Sequence, residues 1–415
     1  METSGFGNRC VSNHTAAVFD KGGKKRIGPL LDLSYVRWER TRDGISEGMV
    51  RVEGDSCSAQ ADFIGKIRSH RHELVIFRGN QRVWEGPLHR AGIEGDHAEF
   101  VARDVSEYLW KTPLTQDWDN SHAAEGAVAV STRIGEIIQY EITHGRQQFY
   151  ADGPDAAEAV AEWTAAGGTL TPVTGGWLVD IPALEDDSIF PAINMVDYLV
   201  VHNWPNEART SAFTVPYQMS VGEHLQNLAR RAGIDYTVIG RSLHIWDVSR
   251  NLGVLGQWTE ANFRANVAVT EYGADHTQSS YVIGQDGTYG SSLNLKNLAY
   301  YGPWTTIFTS YNEEGSADPT LNQLNSQARR NLSGRSPAPI EVRVPDGSSL
   351  ILTDNLTINH LVPGVQVPLR ATLNARKLVQ QQKIDHVRVE ENPDGEEIKV
   401  TLTPATKPDA DDEEV

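Results

Sequence analysis

The sequence predicts a β-rich α+β protein of several domains, and three observations carry that expectation. Residues 28–103 and the chain from 257 onward alternate apolar and polar side chains in short runs broken by turn dipeptides, which is an antiparallel β pattern. The stretch between them changes to helical spacing with capping residues. A chain of 415 residues has room for about two to four domains, each able to bury a core.

The elements follow in order. Residues 1–27, with Lys21-Gly22-Gly23-Lys24-Lys25, read as a flexible arm. In residues 28–115, hairpins are expected around Asp43-Gly44, Gly79-Asn80 and Gly95-Asp96, and Pro87 must lie at a sheet edge or where the chain leaves the sheet. A short helix over 104–111 takes Asp104 as its N-cap. Residues 116–215 form an α+β domain whose first helix puts Ile134, Ile137, Ile138 and Ile142 on one stripe after Ser131, with a second helix over 155–166. Residues 216–256 pair a helix opened by Ser220 and Glu223 with a hairpin turning at Gly240-Arg241, a type II′ signal. In 257–405 the β pattern returns with turns at Asp286-Gly287, Asp346-Gly347 and Asp394-Gly395. One helix interrupts it, opened by Asp318-Pro319 with Leu321, Leu324, Ala328 and Leu332 on its face. Residues 406–415 read as a disordered acidic tail.

Charge narrows the function. The net charge is −18, and resolved as residues 1–115, 116–256 and 257–415 it is +1, −11 and −8. No third of the chain has the basic surplus that grips nucleic acid by neutralising phosphates. No apolar run reaches the ~18 residues of a membrane helix, and the first 26 residues hold no signal-like stretch, so no membrane insertion and synthesis in the cytoplasm are expected. Cys10 and Cys57 are the only cysteines and are read as reduced thiols.

Each candidate for chemistry has a plainer explanation. On a strand, His70 and His72 would share a face, but no third ligand follows at motif spacing, so no metal is expected. Asp117 with Asp119, and Glu185-Asp186-Asp187, lack the separation a glycosidase pair needs and read as solvated loops. Nothing resembles a nucleophile elbow or a phosphate-binding loop, so neither an enzyme nor a cofactor is expected. Among ten tryptophans, Trp38, Trp84 and Trp246 lie in alternating strands and are read as core, whereas Trp177 and Trp304 follow Gly-rich segments and are the candidates for a glycan platform.

Several segments resemble a known family. They are Asp32-Leu33-Ser34-Tyr35-Val36-Arg37-Trp38-Glu39-Arg40, then Val83-Trp84-Glu85-Gly86-Pro87-Leu88, then Ala102-Arg103-Asp104-Val105-Ser106-Glu107-Tyr108-Leu109. Later come Val269-Thr270-Glu271-Tyr272-Gly273, Val282-Ile283-Gly284 and Val362-Pro363-Gly364-Val365. Together they look like the tail-hub or baseplate-hub proteins of long-tailed bacteriophages, the minor tail proteins of siphophages. The resemblance implies Trp38, Trp84, Glu85, Gly86, Arg103, Asp104, Gly273, Gly284, Pro363 and Gly364 as structural motif residues. It also implies tube-like antiparallel β-barrel domains at 28–115 and 257–405, flanking the α+β middle. In such a hub a homotrimer joins the tail tube and distal tail ring to the tail tip and forms part of the DNA ejection channel in the virion. Its expected partners are the distal tail protein, the tape-measure protein and other tail-tip or receptor-binding proteins, with duplex DNA passing through unbound. With eleven residues after Pro404, no C-terminal hydrolase is expected. The rival functions are a carbohydrate-binding tail-tip adhesin and a cell-wall hydrolase.

Overall fold

The computed structural model describes residues 10–53, 59–94, 97–114, 118–119, 130–144, 147–149, 158, 160–161, 164–165, 169–173, 176–180, 200–204, 214–215, 219–231, 234–247, 252–284, 286–295, 298–309, 320–332, 335, 340–373 and 376–405. Seven strands come before residue 104: β1 (His14–Asp20), β2 (Arg26–Leu30), β3 (Leu33–Thr41), β4 (Glu47–Glu53), β5 (His72–Arg78), β6 (Gln81–Glu94) and β7 (His97–Arg103). They pair in the order β2-β1-β5-β6-β7-β4-β3. The expected hairpins are present. Pro87 marks the point where β6 leaves its pairing with β5, and from Leu88 the strand pairs with β7 through a bulge. A proline that cannot donate suits a strand changing neighbours.

The flexible arm expected over residues 1–27 is corrected from His14 onward. Thr15-Ala16-Ala17-Val18-Phe19 is a strand fully paired to β5, and Lys21–Lys25 is its turn, with Gly22 and Gly23 at positive φ. The strand lies between β2, its hairpin neighbour, and β5, and Ala16 to Phe19 are all buried, so the run lacks the apolar–polar alternation that marks a strand.

Beyond residue 104 come α1 (Glu107–Trp110), β8 (Trp118–Asp119), α2 (Val130–His144), β9 (Gln147–Phe149), β10 (Thr169–Val173), β11 (Gly176–Asp180), β12 (Val200–Trp204), β13 (Thr214–Val215), α3 (Val221–Arg231), β14 (Ile234–Ile239) and β15 (Ser242–Asp247). The isoleucine stripe of α2 is buried against Val221 and Leu225 of α3 and against Ile234, Tyr236, Leu243 and Ile245 of the hairpin. Gly240 has φ 59, as the type II′ turn requires. The division at residue 216 is corrected: β12 runs parallel to β15 in one sheet, so both sides of it share a core. The helix over 155–166 and the loops holding Asp117 and Glu185-Asp186-Asp187 lie outside the described residues, entirely or in large part.

The last third holds β16 (Ala268–Glu271), β17 (Ser279–Ile283), β18 (Tyr289–Leu293), β19 (Thr305–Thr309), α4 (Leu321–Leu332), β20 (Ile340–Arg343), β21 (Gln366–Leu373), β22 (Arg376–Asn392) and β23 (Gly395–Pro404). In the β22–β23 hairpin Val387 faces Val400 and Val389 faces Ile398, all buried. On its other edge, β22 pairs antiparallel with β3, from His386 opposite Thr41 to Glu391 opposite Val36. This pairing makes the two β-rich thirds one twelve-stranded sheet. They also share one core, which runs from Ala16, Trp38 and Phe100 to Trp258, Leu369 and Ile398. The strand path is open. Its end strands β2 and β16 do not pair with each other, and no closed barrel forms by hydrogen bonding among the described residues. β17, β18 and β19 stand apart as a three-stranded sheet against α4.

Candidate functional site

The family-motif residues of the first β region converge on one corner. Trp84 is buried and its Nε1–H donates to Ser46 Oγ at 3.2 Å. Asp104, also buried, accepts from Ser46 N–H and Oγ–H at 2.5 and 2.7 Å and from Ser106 N–H and Oγ–H at 2.9 and 2.5 Å. Asp104 is thus a tie between β4 and the turn before α1 rather than the cap of an eight-residue helix, and α1 is only four residues long. Burial raises its carboxyl pKa, and the four donors oppose that rise. Gly86 lies directly under the main chain of Arg103 and Asp104. The Arg103 side chain pairs with Glu107 at 3.3 Å.

Beside this corner the β14–β15 hairpin is pinned at both ends by buried charge. Arg241, at its tip, donates to Glu73 at 2.6 Å and Glu85 at 3.3 Å; Glu73 also accepts from Tyr108 Oη–H at 2.5 Å and Gly22 N–H at 2.9 Å. Burial pushes the Glu85 carboxyl up, and Arg241 and Arg82 counter it. At the hairpin base, Asp235 takes Lys383 Nζ at 2.8 Å and Arg42 at 3.0 Å, and Arg42 also donates to Asp385 at 2.6 Å. Burial and the neighbouring Asp235 carboxylate drive Asp43 well above the usual carboxylate range; Lys383 and Arg42 outweigh burial and hold Asp235 below it. Arg40 is a third clasp. It is buried beside the Trp38 ring and donates to the carbonyls of Ile358, Leu361 and Val83, and burial lowers its pKa to about 10. Each clasp joins segments remote in sequence.

Trp38 heads a relay. Its Nε1–H donates to His14 Nε2 at 3.1 Å, so the His14 hydrogen sits on Nδ1 and donates to Glu391 Oε2 at 2.6 Å. Glu391 also accepts from the main-chain N–H of Ser12, Asn13 and His14. Burial alone would raise its pKa; these donors overcome it and hold it at about 2. A depressed carboxylate stabilises the fold fully above its ordinary value of 4.5, and that contribution is lost as pH falls toward 2. The melting temperature is expected to fall across that window, and Glu391→Gln is expected to lower it at neutral pH and flatten the acid limb, as pH-dependent thermal scans would show.

The later motif residues are dispersed. Gly364 has φ 93 and sits against Trp246, where a Cβ would come within 2.4 Å of the indole, and Pro363 precedes it. Gly284 opens the β17–β18 turn and donates to Thr288 O at 2.7 Å. Gly273 lies in an exposed turn with nothing around it. Of the two glycan candidates, Trp304 is 61% exposed beside β19, whereas Trp177 lies on β11 in a different sheet. His70 is in a turn at φ 60 and His72 begins β5 and accepts from Arg68 N–H, so they share no strand face. Among the described residues no group of three metal-ligating side chains occurs, and no helix is long and apolar enough to cross a membrane. Cys10 is half-buried with a thiol raised by burial and Asp32; Cys57 lies outside the described residues. Sequence reasoning missed Arg40, Arg42, Glu73, Asp235 and Glu391, whose partners come from distant parts of the chain.

No family model matches the chain, and no curated protein matches it. Solved structures do. The 43 kDa tail protein of prophage MuSo2 from Shewanella oneidensis aligns over 96% of this chain and 97% of its own at TM-score 0.54 and 11% identity. A tail protein of Neisseria meningitidis MC58 aligns over 96% and 99% at 0.57 and 11%. Prophage tail protein gp18 of Listeria monocytogenes EGD-e aligns over 95% of both chains at 0.55 and 8%. Identities so low speak to fold alone, and near-complete coverage on both sides makes the statement about the whole architecture: the chain has the fold of these prophage tail proteins.

Proposed function

We propose that this chain is a structural, non-enzymatic protein of a phage tail, and more specifically a homotrimeric tail hub of siphophage type. The observation that carries the reading is the shared fold along 95–96% of the chain. Two further features support it. Trp84, Gly86, Asp104 and Gly364 among the motif residues serve as packing and clasp positions, the work of a scaffold. The first and last β regions are fused through β3 and β22, as two tube-like domains presented side by side by one subunit would be. In this reading three copies surround the tail axis in the virion, contact the distal tail, tape-measure and tip proteins, and line a channel through which duplex DNA passes. A net charge of −18 suits DNA as cargo, since a basic lumen would hold phosphates. Antibody labelling of virions in the electron microscope should place the protein on the tail tip. Label confined to the capsid, or virions lacking the protein, would refute the reading.

A further inference from the structure

The base of the β14–β15 hairpin meets the turn after β3 and the strand β22 in one cluster of charge. Arg42 Nη1–H donates to Asp43 Oδ2 at 3.2 Å and to Asp235 Oδ1 at 3.0 Å, so two carboxyls converge on a single nitrogen. The other oxygen of each is also taken: Tyr236 N–H donates to Asp43 Oδ1 at 2.8 Å, and Lys383 Nζ donates to Asp235 Oδ2 at 2.8 Å. Arg42 Nε–H and Nη2–H donate to Asp385 Oδ1 at 2.8 and 2.6 Å. Three carboxyls thus face two cations, and with every group ionised the cluster carries one negative charge in excess. The cluster is also a fastening. Asp43 N–H donates to Tyr236 O at 2.9 Å and Thr237 Oγ1–H to Thr41 O at 2.9 Å, which ties the α+β unit to the twelve-stranded sheet. The hairpin's second anchor, Arg241 with Glu73 and Glu85, is at its opposite end.

A proton removes the excess. The Asp43 and Asp235 carboxyls are hydrogen-bonded to each other, and a carboxylate has no hydrogen to give, so one of the two is an acid. Asp43 is that one. Asp235 is 4% exposed and has Lys383 and Arg42 to keep it ionised, whereas Asp43 shares Arg42 with two other carboxyls and is pushed up to about 8 by burial and by Asp235. With its side chain 27% exposed, Asp43 also touches solvent, so the proton can leave while the chain stays folded. Histidines lie next to the cluster on two strands. His386, beside Asp385 on β22, pairs with Glu39 at 3.5 Å. On β15, Trp246 is opposite Asp235, and His244, opposite Thr237, stacks on His202 of β12 with ring centroids 4.9 Å apart. Burial and His202 lower His244 to about 4, so it stays neutral where Asp43 titrates.

We propose that Asp43 and Asp235 form a proton-held latch: with the shared proton the base of the hairpin is closed on the sheet, and without it two adjacent carboxylates repel and the α+β unit hinges about Arg241. The sign follows from linkage. A carboxyl that holds its proton above the ordinary 3.8 favours the closed form most in acid, and that advantage is lost as pH climbs to about 8. Asp235, held low, sets the acid limit, since its contribution is lost as pH falls below 3.8. Hydrogen exchange of the full chain, corrected for the intrinsic rate at each pH, tests the latch together with infrared difference spectra. Between about pH 6.5 and about pH 9 the protection of Ile234–Ile239 is expected to fall roughly thirtyfold, and the carbonyl stretch of one protonated carboxyl to disappear. Asp43→Asn keeps a donor toward Asp235, and asparagine tolerates the φ of 56 at this position. This variant is expected to lack the titrating band and to hold its protection over the same range. Wild-type protection that stays level would overturn the latch whether or not the variant folds. An equal fall in Asp43→Asn, or a titrating band that survives the substitution, would assign the proton to another group and overturn it as well.

Discussion

Gly86→Ala is expected to cost about 3 kcal/mol or more, enough to deplete the soluble folded protein, although it adds one methyl group. A Cβ on Gly86 would lie 1.9 Å from Arg103 O, 2.7 Å from Arg103 C and 2.8 Å from Asp104 Cα. All three are main-chain atoms, so no side chain can swing aside. The main chain cannot retreat either, because Asp104 is held by Ser46 and Ser106 through four short hydrogen bonds. Gly92→Ala on the same strand is the matched control, since its nearest neighbour would be Glu99 O at 3.9 Å. Thermal melts of the pair, with soluble yield, measure the difference. A Gly86→Ala protein that melts with the Gly92→Ala protein would show that the corner is slack.

Asp235→Ala is expected to have the second largest effect, about 3–5 kcal/mol, because it strands a buried cation. Lys383 is 7% exposed, and among the described residues Asp235 is its one carboxylate partner within salt-bridge reach; Arg42 retains Asp385. The loss should be strongly non-additive. Lys383→Met combined with Asp235→Leu removes both charges and is expected to recover much of the stability lost by Asp235→Ala alone. Denaturant unfolding of the single and double variants gives the coupling. Additive losses would mean that Lys383 finds another partner when Asp235 is gone.

Local pattern was a good guide wherever the partner was close in sequence. The turn at Gly240 and the hairpin around Pro393-Asp394 were legible because each joins strands a few positions apart, and the stripe from Ile134 to Ile142 because helical spacing marks a buried face whatever covers it, here α3 and the β14–β15 hairpin far along the chain. The β3–β22 pairing was not. Both strands alternate correctly, yet alternation states which face is buried and not which strand lies alongside. β1, with Ala16 to Phe19 all buried, does not alternate at all, and the clasps at Arg42, Arg241 and Glu391 were missed because their partners are remote. A charged residue looks solvated in sequence until the fold brings its counter-ion from far along the chain. The tryptophans show both outcomes: Trp38, Trp84 and Trp246 are core, as their alternating strands implied, and Trp304 is 61% exposed.

The seam between β3 and β22 also sets a schedule for synthesis. The Tyr35 hydroxyl bonds Glu390, 355 residues later, and Glu391 secures the main chain of residues 12–14. Until the ribosome has released β22, one edge of β3 and the relay from Trp38 have no partner. The first β region must therefore wait, incompletely paired, through most of translation. Such long-range closure is slow and leaves open strand edges that favour misassembly. The last strands to be made are the ones that let the first ones settle.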